Sequence, residues 1–257
     1  MYETIDYSVL DKVATIALNR PDAYNAFNKK MSVELKSAFK KAKKDDNVRV
    51  IVFTGEGKAF CSGQDLKDVS GDFSFEQVVR ERYNPIIQYM RTLPKPIICK
   101  LNGVAAGAGC SFALASDIIV MSDKGSLIEV FINIGLVLDS GSSYFLPRLV
   151  GSSKAFELAT TGQKVKSEEA YRLGLVNKIC SHDMLDNTVK EYTDYYKSAP
   201  TKAIGLIKNL LNKSSNSSLK DILSLEAEYQ ELAGRSKDYR EGVNAFLEKR
   251  EAKFIGE

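Results

Sequence analysis

The chain has 257 residues, about 44% of them apolar, enough for one large domain, or a domain with an appendage, around a substantial core. Its 36 basic and 33 acidic side chains leave a formal charge of +3, too small and too dispersed for a nucleic-acid footprint.

From the N-terminus, Thr4 to Leu10 and Val13 to Leu18 alternate β-branched or aromatic residues with polar ones around Asp11-Lys12, which predicts a β-hairpin. Asn28 can cap a helix whose apolar positions Met31, Leu35, Ala38, Phe39 and Ala42 recur at helical spacing, with the lysines on the opposite, solvated face. Val48 to Thr54 reads as a buried strand ended by Gly55 and Gly57, and a helix is expected from about Glu76 to Arg91. The order then repeats: Pro96 to Leu101 extended, Ala105 to Ala115 a small-residue helix, Asp117 to Met121 buried and extended. Strands alternating with helices imply an α/β fold with a mixed or parallel sheet. From about Ser152 helices dominate, near 153–161, 167–173, 184–198 and 200–213, with one strand at Leu175 to Cys180. Ser214 to Ser218 breaks the pattern, and an amphipathic helical tail runs to about residue 250, interrupted at Gly234.

Cys61, Cys99, Cys110 and Cys180 form no C-x-x-C pair, which argues against a disulfide framework or a zinc site and for reduced thiols in the cytoplasm. The opening MYETIDYSVL has neither a basic nor an apolar leader region, and no run approaches the roughly 18 apolar residues of a membrane span, so secretion and membrane insertion are not expected. There is a single histidine, His182, in the polar cluster SHDMLD, and no tryptophan. A lone loop histidine supports neither a metal pair nor a Ser-His-Asp relay, which leaves base chemistry to a carboxylate.

Three glycine-rich joints come after strand-like runs. GEGKAFCSGQDL (55–66) contains neither G-x-x-x-x-G-K-[ST] nor G-x-G-x-x-G and so is not a nucleotide loop of those kinds. NGVAAGAGCSFALASD (102–117) allows close backbone approach at a helix N-terminus, whose free N–H groups suit an anion or a developing oxyanion. GLVLDSGSSYFLPRLVG (135–151) sets Asp139 in an apolar stretch before a Gly/Ser helix start, where a carboxylate is either a cap or a catalytic group.

Together, NRPDAYNAF (19–27), FTGEGKAFCSGQDL (53–66), PKPIICKLNGVAAGAGCSFALASDI (94–118), GLVNKI (174–179) and the terminal EGVNAFLEKREAKF resemble the crotonase (enoyl-CoA hydratase/isomerase) superfamily over essentially the whole chain. The resemblance implies a crotonase-like spiral of repeated ββα units over residues 1–195, with a helical C-terminal region, 196–257, that makes trimers or dimers of trimers. It implies an acyl-CoA thioester substrate and no separate cofactor, coenzyme A being part of the substrate. The backbone N–H groups of Gln64 and Ala108 match the two that hold the thioester oxygen in the family, with Asp65, Leu66 and Gly107 beside them in the substrate site. Phe246 and Lys249 match positions that reach coenzyme A across a subunit boundary.

The family's hydratases hold water between two glutamates, but here Ser111 and Phe131 match those positions. Glu129 lies close, though in a strand it would share a face with Phe131. Asp139 matches the aspartate of another branch, and RYNPII (82–87), LVLDSGSSYFLPRLVG (136–151) and LAGRSKDYREGVNAFLEKR (232–250) are most similar to the ring-1,2-epoxyphenylacetyl-CoA isomerases of phenylacetate breakdown. The expected activity is therefore an acyl-CoA isomerase that shifts a double bond or rearranges a ring epoxide with Asp139 as acid/base. An enoyl-CoA hydratase of fatty-acid or aromatic degradation and a non-catalytic crotonase-like binding protein are the alternatives.

Overall fold

The computed structural model describes residues 2–69 and 74–257. Strands β1 (Ile5–Leu10) and β2 (Val13–Leu18) pair antiparallel around Asp11 and Lys12, whose φ angles of 46° and 67° are the left-handed pair that a two-residue hairpin requires. Helix α1 (Lys29–Lys44) starts where expected, the Asn28 Oδ1 accepting the Met31 N–H at 2.8 Å. Met31, Leu35, Ala38, Phe39 and Ala42 are all buried, and the lysines of the helix face solvent.

Three strand pairs come next: β3 (Val50–Gly55) with β4 (Ala59–Cys61), β5 (Ile97–Leu101) with β6 (Val104–Ala106), and β7 (Ile118–Ser122) with β8 (Ser126–Ile128). The first strand of each pair joins a six-stranded sheet, completed by β10 (Lys178–Cys180), in the order β1-β2-β3-β5-β7-β10. The second joins a four-stranded sheet, order β4-β6-β8-β9, where β9 (Val165–Lys166) runs antiparallel to β8. Helices close each repeat: α2 (Phe75–Val78), a π-helical turn Val79–Tyr83 and α3 (Asn84–Thr92) the first, α4 (Ala108–Leu114) the second, α5 (Ser142–Val150) and α6 (Ser152–Thr161) the third. The later helices are α7 (Ser167–Arg172), α8 (Leu185–Ser198), α9 (Thr201–Ser214), α10 (Leu219–Gly234) and α11 (Lys237–Glu248). This is the spiral of ββα units that the resemblance implies.

The period-2 geometry of the large sheet divides its side chains between two apolar layers. Ile51, Phe53, Ile97, Cys99, Ile119 and Met121 enter the main core, whereas Val50, Val52, Ile98 and Val120 pack against Leu185 and Val189 of α8. Behind this layer the buried Arg49 donates to the Thr201 hydroxyl at 2.8 Å, to the Phe254 carbonyl at 3.0 Å and to the Ala199 carbonyl, tying the C-terminal segment to the start of β3.

Three elements depart from the sequence expectation. The single helix expected at 76–91 is three segments, because Pro85 has no N–H and the turn before it widens so that the Asn84 N–H reaches the Val79 carbonyl. The small-residue run expected to be helical from Ala105 first forms β6 and turns helical only at Ala108, since small residues carry no clear period. The strand expected over Leu175 to Cys180 keeps only its last three residues.

Asn25 fastens the loop before α1. It is fully buried at φ 57°, its Oδ1 accepts the Arg20 N–H at 2.8 Å, and its Nδ2 donates to the carbonyls of Glu56 at 2.9 Å and Ala59 at 2.8 Å. Asn25→Ala strands the Arg20 N–H and the Glu56 carbonyl, leaves the Ala59 carbonyl only the Asn102 Nδ2 donor at 3.3 Å, and imposes a left-handed conformation on alanine. The expected loss is about 3 kcal/mol, measured as the shift in urea midpoint at constant slope.

Candidate active site

The N-terminal loop and the first glycine joint meet in a single parallel β-bridge between Phe27 and Gln64. The Phe27 N–H donates to the Gly63 carbonyl at 2.7 Å, and the Asp65 N–H returns to the Phe27 carbonyl at 2.8 Å. Since a trans peptide holds its C=O and N–H on opposite sides, using the Gly63 carbonyl this way directs the Gln64 N–H away from Phe27. The same logic governs the second joint. The Gly107 carbonyl accepts the Ser111 N–H at 3.1 Å, so the Ala108 N–H leaves the start of α4 in the opposite direction.

The two loops touch. A Cβ on Gly63, where φ is 98°, would lie 2.9 Å from the Ala106 carbonyl oxygen and 3.8 Å from the Ala108 nitrogen. Gly107, at φ 53° and ψ −127°, adopts a conformation open to glycine almost alone. The loops thus present two N–H groups of the kind that stabilises an oxyanion. The Gln64 side chain is occupied elsewhere, Nε2 donating to the Phe27 and Asp65 carbonyls, each at 3.1 Å.

Asp139 is brought to this helix start by Ser111, whose single hydroxyl proton is shared between the Asp139 backbone carbonyl at 3.1 Å and the Gly107 carbonyl at 3.3 Å. The carboxylate is half-buried and burial pushes its pKa above the ordinary aspartate value, opposed by a 2.8 Å hydrogen bond from the Ser140 hydroxyl. Phe131 packs its ring edge 3.8 Å from where a Gly107 Cβ would be.

Of the other sequence candidates, Asp65 is paired with Arg20 at 2.8 Å, and that hydrogen bond holds its pKa below the ordinary value. Leu66 is exposed. Phe246 and Lys249 belong to another part of the chain. Phe246 is 83% exposed and lines a cavity of about 560 Å³ with Pro200, Tyr239, Val243 and Phe254, while Lys249 ends α11 as a left-handed cap at φ 55°. His182 is a loop residue in a short 3-10 turn, its Nδ1 3.1 Å from the Ser122 hydroxyl and its N–H on the Asp123 carboxylate at 2.9 Å.

One site residue carries no signal in the sequence, and a second is weighed there only as a strand residue. Tyr83 is buried, its ring packs on Phe27 and Phe112 at centroid distances of 5.8 and 6.3 Å, and its hydroxyl has no hydrogen-bond partner among the described residues. Burial first, then the negative charge of Asp139, raises its pKa. Only the π-helical turn aims it inward, and no sequence signal announces such a turn. Glu129 is the other. The expectation that it lies in a strand and shares a face with Phe131 fails, because β8 ends at Ile128 and residues Val130–Ile134 form a 3-10 turn. Its carboxyl is buried, accepts the Ser142 hydroxyl and is pushed up to about 7, chiefly by burial and further by the charge of Asp139.

The comparisons with known proteins decide the family. The model of the enoyl-CoA hydratase/isomerase family matches residues 9–257. The chain belongs to this family. Among its relatives, the 1,2-epoxyphenylacetyl-CoA isomerase of Escherichia coli K12 is 39% identical over the full length of both chains. The trans-2-decenoyl-[acyl-carrier-protein] isomerase of Streptococcus mutans is 34% identical over 99% of each. The solved enoyl-CoA hydratase of Bacillus anthracis superposes with a TM-score of 0.94 at 30% identity, covering 99% of this chain and 100% of its own. The chain thus has the enoyl-CoA hydratase/isomerase fold, and the protein is an acyl-CoA isomerase or hydratase of the crotonase superfamily.

Gly63→Ala tests the paired loops. A Cβ against the Ala106 carbonyl displaces one N–H donor, and turnover of an enoyl-CoA is expected to fall about 100- to 1,000-fold, the cost of one oxyanion donor. Steady-state kinetics beside a thermal melt separate this from unfolding.

Proposed function

We propose that the protein is an acyl-CoA isomerase that moves a proton between two carbons of its substrate, shifting a double bond or rearranging a ring epoxide without gain or loss of atoms. The observation that carries this reading is a single half-buried carboxylate, Asp139, linked through Ser111 to the loop that frees the Ala108 N–H. The thioester oxygen lies between the Gln64 and Ala108 N–H groups, with Gly107, Asp65 and Leu66 alongside. Asp139 takes a proton from the carbon next to the carbonyl, charge spreads onto the oxygen, and the same carboxyl returns the proton further along the conjugated system. One acid/base group suffices for both transfers, so no water need be held. Similarity to the Escherichia coli isomerase supports a ring-epoxide acyl group as the first substrate to try.

Hydration is the second reading, and Glu129 is what favours it. Addition of water to a conjugated thioester needs one group to activate water and another to supply a proton to carbon, and Glu129 is a second carboxyl whose charge responds to Asp139. Offering 3-enoyl-CoA and 2-enoyl-CoA separately and weighing the products decides between them. Isomerisation leaves the mass of the 3-enoyl substrate unchanged, and rapid uptake of one water by the 2-enoyl substrate overturns the isomerase reading. Asp139→Asn is expected to fold and to lose about 100- to 10,000-fold in rate. Asp139 works as a base only when ionised, and its pKa lies above the ordinary value. The wild-type kcat/KM should therefore rise with pH through a midpoint above the ordinary aspartate range, in a profile taken from pH 4 upward.

The C-terminal helices support assembly. Helix α10 buries none of its residues within the chain, and Leu219, Leu223, Leu232, Val243, Phe246 and Leu247 are exposed along α10 and α11. Trimers or dimers of trimers, with Phe246 and Lys249 reaching a neighbour's coenzyme A, would cover this surface. Light scattering at micromolar concentration should give a mass of at least three chains, and a monomer would remove this part of the reading.

A further inference from the structure

Asp139 stands at the start of a turn that is strained. Ser140 comes next at φ 51° and Gly141 at φ 84°, two left-handed residues in succession, the first of them not glycine. Such a conformation costs on the order of 1–3 kcal/mol and persists only when its surroundings over-determine it. Three contacts do so. The Ser142 N–H donates to the Asp139 carbonyl at 3.0 Å, the Ser111 hydroxyl donates to the same carbonyl at 3.1 Å, and the Ser142 hydroxyl donates to the Glu129 carboxyl. Ser142 is the first residue of α5, so the bond to Glu129 anchors that helix end, and through it the loop that carries the base.

Glu129 is unusual for a residue whose visible task is to accept the Ser142 hydroxyl, with the Cys110 thiol as its other hydrogen-bonding neighbour. It is 3% exposed, and its second oxygen, Oε2, has no partner among the described residues. A small cavity beside it is lined by Cys110, Leu114, Leu127, Leu146 and Leu158, with Gln163 at its edge. The groups that face it are the Cys110 thiol from α4, the Ser142 hydroxyl from α5 and, through space, the Asp139 carboxylate; no cation is among them. An asparagine, glutamine or serine would accept the same bond without the cost of burying an ionisable group.

We infer that Glu129 is a positioning residue for Asp139, holding the base in place through Ser142 as a neutral acid while Asp139 carries the negative charge. The pair divides its protons by environment: Asp139, less buried and served by the Ser140 hydroxyl, ionises first, and its charge then opposes ionisation of Glu129. The two carboxyls of this pocket are therefore unequal in role, and only one of them reaches substrate. The inference rests on the isomerase reading above for the identity of the base.

Four variants and two readouts test it. Glu129→Gln keeps an oxygen for the Ser142 hydroxyl and has no charge, and should turn over 3-enoyl-CoA within about threefold of wild type. Glu129→Leu removes the acceptor and should lose about 100-fold in kcat at a nearly constant KM, the cost of a misplaced base. Ser142→Ala cuts the same link from the other end by a single atom and should behave like Glu129→Leu if the latter folds poorly. The wild-type pH profile should carry a second inflection near neutrality that Glu129→Gln lacks. Full activity in both Glu129→Leu and Ser142→Ala, or an inflection that survives in Glu129→Gln, overturns the inference. The second readout needs no turnover. The carbonyl stretch of a protonated carboxyl, tracked by infrared difference spectroscopy and assigned by its absence in Glu129→Gln, should titrate in the wild type and shift to lower pH in Asp139→Asn, where the opposing charge is gone. An unmoved midpoint overturns the pairing. If wild-type protein fails to isomerise 3-enoyl-CoA, the isomerase reading falls, and the infrared titration still decides the inference.

Discussion

A trans peptide cannot aim its carbonyl and its N–H to the same side, and this site is built on that constraint twice. The Gly63–Gln64 unit gives its carbonyl to Phe27, and the Gly107–Ala108 unit gives its carbonyl to Ser111, so each N–H is turned away from the backbone that consumed its partner. Neither donor needs a special side chain. What each needs is a fixed neighbour on the carbonyl side, which is why a loop before α1 and the first turn of α4 matter as much as the glycines themselves. The arrangement is also preorganised: no reorientation would be required for an oxygen bound there to receive both N–H groups, the condition under which such donors lower a barrier most.

The acid half of the site depends on burial in a graded form. Asp139 is half-buried and Glu129 nearly wholly so, and the two respond differently because desolvation penalises the charged form in proportion to depth. Serines moderate both: Ser140 for Asp139, Ser142 for Glu129, and Ser111 for the backbone carbonyl of Asp139. Small hydroxyls fit where glycine-rich loops approach closely, and each can serve a backbone carbonyl or a carboxyl as geometry demands.

The hairpin, the capped helix α1 and the buried runs of the large sheet were legible because their signals are local: period-2 alternation, a capping asparagine, and β-branched density. The glycine joints marked where backbone would face a ligand, and Asp139 was visible as one acid in an apolar stretch. Features set by partners far along the chain could not be read. Glu129 looked like a strand residue because nothing in IEVFINI shows that the strand stops at Ile128, and its hydroxyl partner lies in another element. Ala105 and Ala106 have no period to separate strand from helix. Tyr83 sits within RYNPII with nothing to single it out, since its inward aim depends on how the helix is wound before Pro85.

That winding has a consequence for how the chain can change in length. In an α-helix each residue turns about 100°, so a side chain five positions after Val78 would fall well off its face. The π-helical turn Val79–Tyr83 absorbs one residue, which lets both Val78 and Tyr83 be buried and keeps Ile86, Ile87 and Met90 on the core side. The segment is thus equivalent to a single inserted residue that the helix has accommodated without rotating the turns of α3 beyond it. Loss of one residue between Val79 and Arg82 would restore ordinary α-helical phase and leave the buried stripe intact. By this geometry the fold would accommodate a change of one residue here, beside the aromatic cluster of Phe27, Tyr83 and Phe112, without rotating the helix that follows.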